Sequence, residues 1–350
     1  MPNQFLTLKD IVALNRLTDP ASVGLVDNIV NVAPELDRIL GRPIPGISYE
    51  ATILTALGSN GGFRKVGSGR PFSAMSIDEK RFNCFPWDAP FSVDEALLIK
   101  KEAQGETPAE VLETFATSGA RQKALDLGRQ FYTGSLNDPL GPPGLLDFLY
   151  TQRTQVDSRT GLKIDQVVDV GGTTAGNCEI VWFIKQGPQG VHWLFGNGRG
   201  IIMNPWVRLP GVASPDWTAQ NPLYQTAWRS NMFGYIGTSM AQYHAVGAII
   251  NVDVTNGTTT ANGLWNDNAV ADLFAKWPIT LKPDLALCTQ NAAKMLQKTR
   301  AVTNFVSSGE RGWTSDSAPI GEFPTKLPTM GGIPLVVTDS ITPGNQLVLN

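Results

Sequence analysis

The chain has 350 residues, 42% hydrophobic and 17% charged, with 35 Gly, 24 Pro and a formal net charge of −3. That allows a large core, two or more subdomains and a good deal of loop, and it offers no basic footprint for tight or sequence-specific nucleic-acid binding. No stretch of about 18 apolar residues and no basic-then-apolar start is present, so neither a membrane span nor a signal peptide is expected. Cys84, Cys178 and Cys288 are odd in number, far apart and without a CxxC pair. They read as buried thiols of a cytoplasmic protein rather than as a disulfide framework or a zinc site.

Taken in order, Thr7–Leu17 (TLKDIVALNRL) predicts a Thr-capped helix, and Asp19-Pro20 opens a second short one holding Val23, Leu25, Val26, Ile29 and Val30. From Gly46 to Pro90 the pattern turns strand-like. ISYEATILTAL and MSIDEKRFNCFPW flank GSNGGFRKVGSGRPFSA, which predicts a hairpin with a long tip carrying Arg64, Lys65 and Arg70 among glycines. The tip lacks GxxxxGK[ST] spacing and a following helix, so it is not a phosphate loop. A projecting arm of this kind is too long and glycine-rich to be stable alone and normally lies on another surface.

Ser92–Gly105 predicts a helix capped by Ser92 with Glu95. Thr107–Gly134 follows as one long helix, with Thr107 as N-cap, Pro108 at the first position, Glu110 completing a capping box and Gly134 ending it. At about 1.5 Å per residue it makes a rod of about 40 Å, a spine. Leu112, Ala116, Ala120, Ala124, Leu127 and Phe131 form its apolar stripe, and Ala116, Gly119, Ala120 and Ala124 let a neighbouring backbone come close. NDPLGPPGLLDFL then reads as a Pro-Gly turn region and a subdomain boundary.

Lys163–Asp253 is mostly β, with Ser214–Ser230 as loop or insertion. Trp182, Trp193, Trp206, Trp217 and Trp228 crowd this region. Packing between sheets explains that density better than a sugar platform does. Thr255–Asn262 is a connector, Asn266–Trp277 a helix, and Pro283–Cys288 a buried strand. Thr289 caps a helix to Arg300, and after a Gly-Ser-Pro-rich loop GIPLVVTDSI is a strand. The class is α+β.

The search for chemistry finds decoys. Gly237-Thr238-Ser239-Met240-Ala241 imitates a nucleophile elbow, yet the chain after Ser239 is β-rich and no His occurs after His244. His192 and His244 lack a second ligand at metal spacing, and the carboxylate pairs Asp78-Glu79 and Asp94-Glu95 are adjacent in sequence and so point apart. No catalytic, cofactor or metal residue is expected, and the chain reads as a non-enzyme.

The order of these parts resembles the major capsid proteins of tailed bacteriophages with the HK97-type fold. LTLKDIVALN with NVAPELDRIL looks like the family's opening, ARQKALDLGRQFYTG with GLLDFL like its spine and exit, and CEIVWFIKQGPQGVHWLFGNGRG like its post-spine strands. YHAVGAIINVDV, PDLALCTQNAAKMLQ and GGIPLVVTDSI complete the match, which covers nearly the whole chain. The resemblance implies an N-terminal arm at 1–45, an E-loop hairpin at 46–90 and a P-domain with its spine helix at 91–140. The remaining P-domain strands and an A-domain would fill 141–350.

The implied function is a head protein that self-assembles into pentamers and hexamers of an icosahedral shell around double-stranded DNA. Arg64, Lys65 and Arg70 would make intersubunit contacts, with Lys65 the candidate for the family's Lys-to-Asn cross-link. No cofactor and no membrane are implied. A separate scaffolding protein and a portal would be partners, with the presence of a decoration protein left open, DNA would be contacted non-specifically, and assembly would occur in the host cytoplasm to give a virion component. An encapsulin-like nanocompartment shell is the alternative reading. A Trp-rich hydrolase or carbohydrate-binding protein is the second alternative.

Overall fold

The computed structural model describes residues 33–56, 62–69, 76–105, 107–157, 161–213, 224–254, 263, 265–278, 281–296, 329–330 and 333–347. The two expected N-terminal helices, Arg70, Trp217, the 255–262 connector and the Gly-Ser-Pro-rich loop lie outside these residues.

The spine is a single helix, Pro108–Thr133. Thr107 Oγ1 accepts from the Glu110 N–H and the Glu110 carboxylate accepts from the Thr107 N–H, so the capping box is complete and holds that carboxyl below its ordinary range. Gly134, at φ 56°, closes the last turn by donating its N–H to the Gln130 carbonyl. The whole predicted stripe is buried: Leu112, Ala116, Ala120, Ala124, Leu127 and Phe131. Its small residues serve close approach, since a side chain at Gly119 would strike the ring of Phe91, and one at Gly128 would strike Glu35 and Ser340.

Against the spine lies a six-stranded sheet in which β1 (Gly41–Pro43), β7 (Val191–Phe195), β10 (Tyr224–Met240) and β4 (Phe85–Asp94) are successive neighbours. The short strands β8 (Ile202–Met203) and β9 (Val207–Ala213) also pair with β10. A second sheet of six strands runs β13 (Thr329–Met330), β14 (Ile333–Val337), β12 (Leu285–Cys288), β6 (Cys178–Ile184), β11 (Val246–Asp253) and β5 (Val167–Asp169). The chain passes between the two sheets from β6 to β7 and back from β10 to β11.

The second sheet explains the apolar runs of its sequence. Along β6, Trp182 and Ile184 enter the core shared with the spine, while Val181 and Phe183 face a separate core. β12 alternates the same way, with Leu285 and Leu287 on one side and Ala286 and Cys288 on the other. Both faces are buried, so a polar-apolar alternation never develops. The helix Asp267–Ala275, capped by the side chain of Asn266, and the helical turns at 290–296, capped by Thr289, belong to the second core.

Three expectations need correction. Ser92 is not a cap: the chain stays extended through Asp94 because β4 pairs with β10 from Phe85 to Asp94, and Asp94 accepts from the Ala96 N–H to start the helix Glu95–Glu102. Residues 224–230, expected as loop or insertion, are the first part of β10, which pairs with β9 over 224–229 and with β4 from Ala227 on. The Pro-Gly turn region runs into a helix, Leu145–Arg153, because the Asp147 carboxylate accepts from both the Gly144 and Ser135 N–H groups, at 3.0 and 2.9 Å, and organises that turn.

Candidate functional site: the projecting hairpin and its anchorage

The predicted hairpin is present. β2 (Ser48–Ala56) pairs antiparallel with β3 (Ser76–Asn83), with Ser48 opposite Asn83 and Ile53 opposite Asp78. Near its base the arms obey a period of two. Ala51, Ile53 and Phe82 turn inward and are buried, while Glu50, Thr52 and Arg81 face out.

Two aromatic contacts pin this base to the body. The Arg42 guanidinium lies 4.5 Å from the centre of the Tyr49 ring and donates to the Tyr49 hydroxyl at 2.8 Å. Tyr49 in turn meets His192 edge to face, with centroids 5.8 Å apart. His192 is fully buried in β7, and burial, helped by the nearby Arg42 charge, pulls its pKa down to about 4. It is therefore neutral at physiological pH, as a packing histidine should be. On the other arm, the Lys80 ammonium sits 3.1 Å above the centre of the Tyr243 ring and donates to the Ala241 carbonyl at 3.4 Å. Burial lowers its pKa to about 8, with the charge of Asp78 opposing.

The tip is organised differently. Ser68 donates its N–H to the Lys65 carbonyl at 3.1 Å around Gly67, whose φ of 86° suits glycine, and Arg64 Nη1 donates to the Ser68 carbonyl at 2.7 Å. Arg64 and Lys65 are both exposed, as are Phe63 and Val66, whose side chains are fully open to solvent. The structure thus brings two of the three predicted contact residues together, and Arg70 lies outside the described residues. Sequence reasoning missed Phe63 and Val66 as contact candidates, although an aromatic and a valine in a Gly-Ser loop is a readable signal.

A third junction joins Glu35 and the segment 338–340 to the spine. Glu35 is wholly buried. Its carboxylate accepts from Thr338 Oγ1 at 2.6 Å and from Ser340 Oγ, and both partners are buried too. Burial pushes the Glu35 carboxyl above its ordinary value, and the two hydroxyls pull it partly back. The carboxyl of Glu179, which accepts from Thr289 Oγ1, is likewise raised by burial.

The decoys settle into structural positions. Ser239 lies within β10, opposite His192 in register, and the strand continues to Met240 without the helix that a nucleophile elbow requires. His244 Nε2 lies 3.6 Å from the Asp157 carboxylate. Among the described residues, no three His, Cys, Asp or Glu side chains converge as metal ligands would. Trp182 and Trp193 are in the main core, and Trp206 and Trp228 pack against Val93, Leu98, Val111 and Leu112.

A capped spine against one sheet, a hairpin projecting from it and a mixed sheet buried on both faces make this the HK97-type capsid fold, in the α+β class. A chain in a cryo-EM structure of bacteriophage Epsilon15 is similar over 88% of this chain and 88% of its own, at a TM-score of 0.53 and 15% identity. A procapsid chain of bacteriophage JBD30 aligns over 94% of this chain and 99% of its own at a TM-score of 0.45 and 8% identity. A capsid chain of the native GTA particle aligns over 60% and 86% at 0.36 and 10%. No protein-family model matches the chain, and no curated protein matches it.

Proposed function

We propose that this chain is the major head protein of a tailed bacteriophage, assembling into pentamers and hexamers of an icosahedral shell around double-stranded DNA. The carrying observation is the shared fold with the Epsilon15 chain over 88% of both chains. The physics of the hairpin supports it. A basic, apolar tip with Phe63 and Val66 in water is costly for a protein that stays alone, and repeated symmetric contacts would cover it many times over.

In this reading 1–45 is the arm, 46–90 the E-loop hairpin and 91–140 the P-domain with its spine. The rest of the chain supplies the remaining P-domain strands and the A-domain. Arg64, Lys65 and Arg70 contact a neighbouring subunit. The role is structural rather than enzymatic. The protein works in the virion after assembly in the host cytoplasm, with a scaffolding protein and a portal as partners and DNA touched without sequence preference. The mildly acidic net charge of −3 suits a lining that does not grip the packaged genome.

Electron microscopy of the purified protein under assembly conditions tests this. Closed icosahedral particles with hexameric and pentameric units are expected. Only monomers or small closed oligomers would overturn the reading, and particles filled with a protein cargo instead of DNA would replace the phage head by a nanocompartment.

A further inference from the structure

Two buried acids sit at one end of the second sheet, and a row of hydrogen bonds runs between them. Thr338 and Thr289 directly follow the parallel neighbours β14 and β12, whose register sets Val337 opposite Cys288. β6 runs antiparallel to β12 and brings Glu179 to the same end. Thr338 Oγ1 donates to the Glu35 carboxyl at 2.6 Å, the Thr338 N–H donates to the Cys288 carbonyl at 2.9 Å, and Thr289 Oγ1 donates to Glu179. The spine closes this row from the other side. Gly128 leaves the space that the Glu35 carboxyl and Ser340 fill, and burial, then the nearby Glu35 and Cys288, push the Tyr132 hydroxyl well above its ordinary value.

The seam is a poor place for a charge. Glu35 and Glu179 are 0% and 1% exposed, and among the described residues no cation pairs with either. Facing Glu35 are the hydroxyls of Thr338, Ser340 and Tyr132 and the acid Asp339. Facing Glu179 are the Thr289 hydroxyl and the Cys288 thiol, which burial pushes up to about 12. Every one of these groups is neutral or negative, and Oε1 of Glu179 has no hydrogen-bond partner among the described residues. A carboxylate taken from water into such surroundings loses its hydration and gains no counter-ion, so the protonated acid is the form that fits. Burial accordingly raises both carboxyls above their ordinary value, with the hydroxyls opposing.

We propose that this seam is a proton-operated latch between the spine and the second sheet: with Glu35 and Glu179 protonated the two layers are held together, and ionisation of the pair parts them. The folded form holds these protons more tightly than the unfolded chain does. The latch is therefore fully closed below the ordinary carboxyl value of about 4.5 and opens as pH rises through the two folded values. Thr338, Cys288 and Thr289 frame both acids, so charging one weakens what holds the other. The latch belongs to the single chain. Resting on the shell reading for this step alone, every subunit of a shell carries it, and the wall loosens throughout as pH rises.

Hydrogen exchange read by mass spectrometry on the full, unassembled chain tests this from about pH 4.5 to 8, with rates corrected for the intrinsic pH dependence of exchange. Protection of 128–134, 286–289 and 335–340 is expected to fall about tenfold or more across that range, while the helix Glu95–Glu102 keeps its own. Glu35→Gln with Glu179→Gln should flatten the profile and either change alone should remove part of it. Glu113→Gln, at an exposed acid of the spine, should leave it as it is. A fall that persists in the double variant, or one spread evenly over the chain, overturns the latch. The unmutated chain gives a second readout that no folding defect can obscure. With 13C-labelled glutamate, the infrared C=O stretch of protonated carboxyls should persist above about pH 4.5 and fade over the interval in which protection falls. Its absence above that pH overturns the proposal. Neither measurement involves particles, so a chain that shows the latch and builds no shell overturns the shell reading alone.

Discussion

Ser340 Oγ donates to Glu35 Oε1 in the core, across 305 residues of sequence, and both atoms lie where a side chain at Gly128 of the spine would have to go. That glycine is in mid-helix at ordinary helical angles, so it is kept for space rather than for backbone freedom. Gly128→Ala gains helix propensity of about 1 kcal/mol but forces a buried carboxyl and a buried hydroxyl apart. The expected outcome is a net loss on the order of 1–3 kcal/mol, read as a lower denaturant midpoint of the unassembled chain. An unchanged or higher midpoint would show that the Glu35 cluster can slide aside.

The same cluster predicts a pH dependence. The folded pKa of Glu35 lies above its ordinary 4.5, chiefly through burial with a smaller push from Asp339. The unfolded chain then releases its proton first as pH rises. Stability contributed by this group is full below about 4.5 and is lost as pH climbs through the folded value. Glu35→Gln keeps the shape and removes the titration, so the fall in melting temperature from pH 4.5 to neutrality should become shallower. It should not vanish, because the carboxyl of Glu179 is raised by burial as well. An unaltered slope in the variant would mean that Glu35 is ionised in the fold.

How much of the fold is legible in the sequence depends on how local each signal is. The spine is legible to both ends because Thr107, Pro108, Glu110 and Gly134 are cap chemistry written within one turn of each terminus. The hairpin arms are legible from their alternation, and the second sheet from apolar runs that mean burial on two faces. The start of β10 is not, because 224–229 pairs with β9 and the strand pairs with β4 from Ala227 on, so the segment shows no one-sided pattern. Helix Leu145–Arg153 hides behind a Pro-Gly cluster whose turn depends on Asp147, a residue inside the helix itself. The anchorage is beyond reach for a different reason. Glu35, Lys80 and Tyr49 look like ordinary surface residues until partners far along the chain close over them.

Anchorage by Lys80 on Tyr243 should be measurable apart from the global fold. A cation over a partly buried aromatic ring is worth about 0.5–2 kcal/mol. Tyr243→Leu keeps apolar bulk and removes the ring, so it should loosen the hairpin base while the spine and both sheets persist. Limited proteolysis of the unassembled chain is expected to cut faster within 57–75, with the rate of cutting elsewhere unchanged. Equal acceleration everywhere would show instead that Tyr243 supports the core as a whole.

Ala120 tests the packing of the spine most directly, because it is fully buried in the middle of the stripe and belongs to the main core with Phe91 of β4. Ala120→Leu adds three carbons where the helix and sheet already approach closely enough that Gly119 has no room for a methyl group. Such cores do not absorb added volume without off-rotamer side chains or backbone shifts, at a cost of about 1–3 kcal/mol. Leucine is also a good helix former, so the helix itself survives and the strain must appear between layers. The expected result is a lower denaturant midpoint of the isolated chain and, in the shell reading, a reduced particle yield at equal expression. Normal stability with low yield would place the fault at a subunit contact, and normal values of both would show that the stripe is loosely packed.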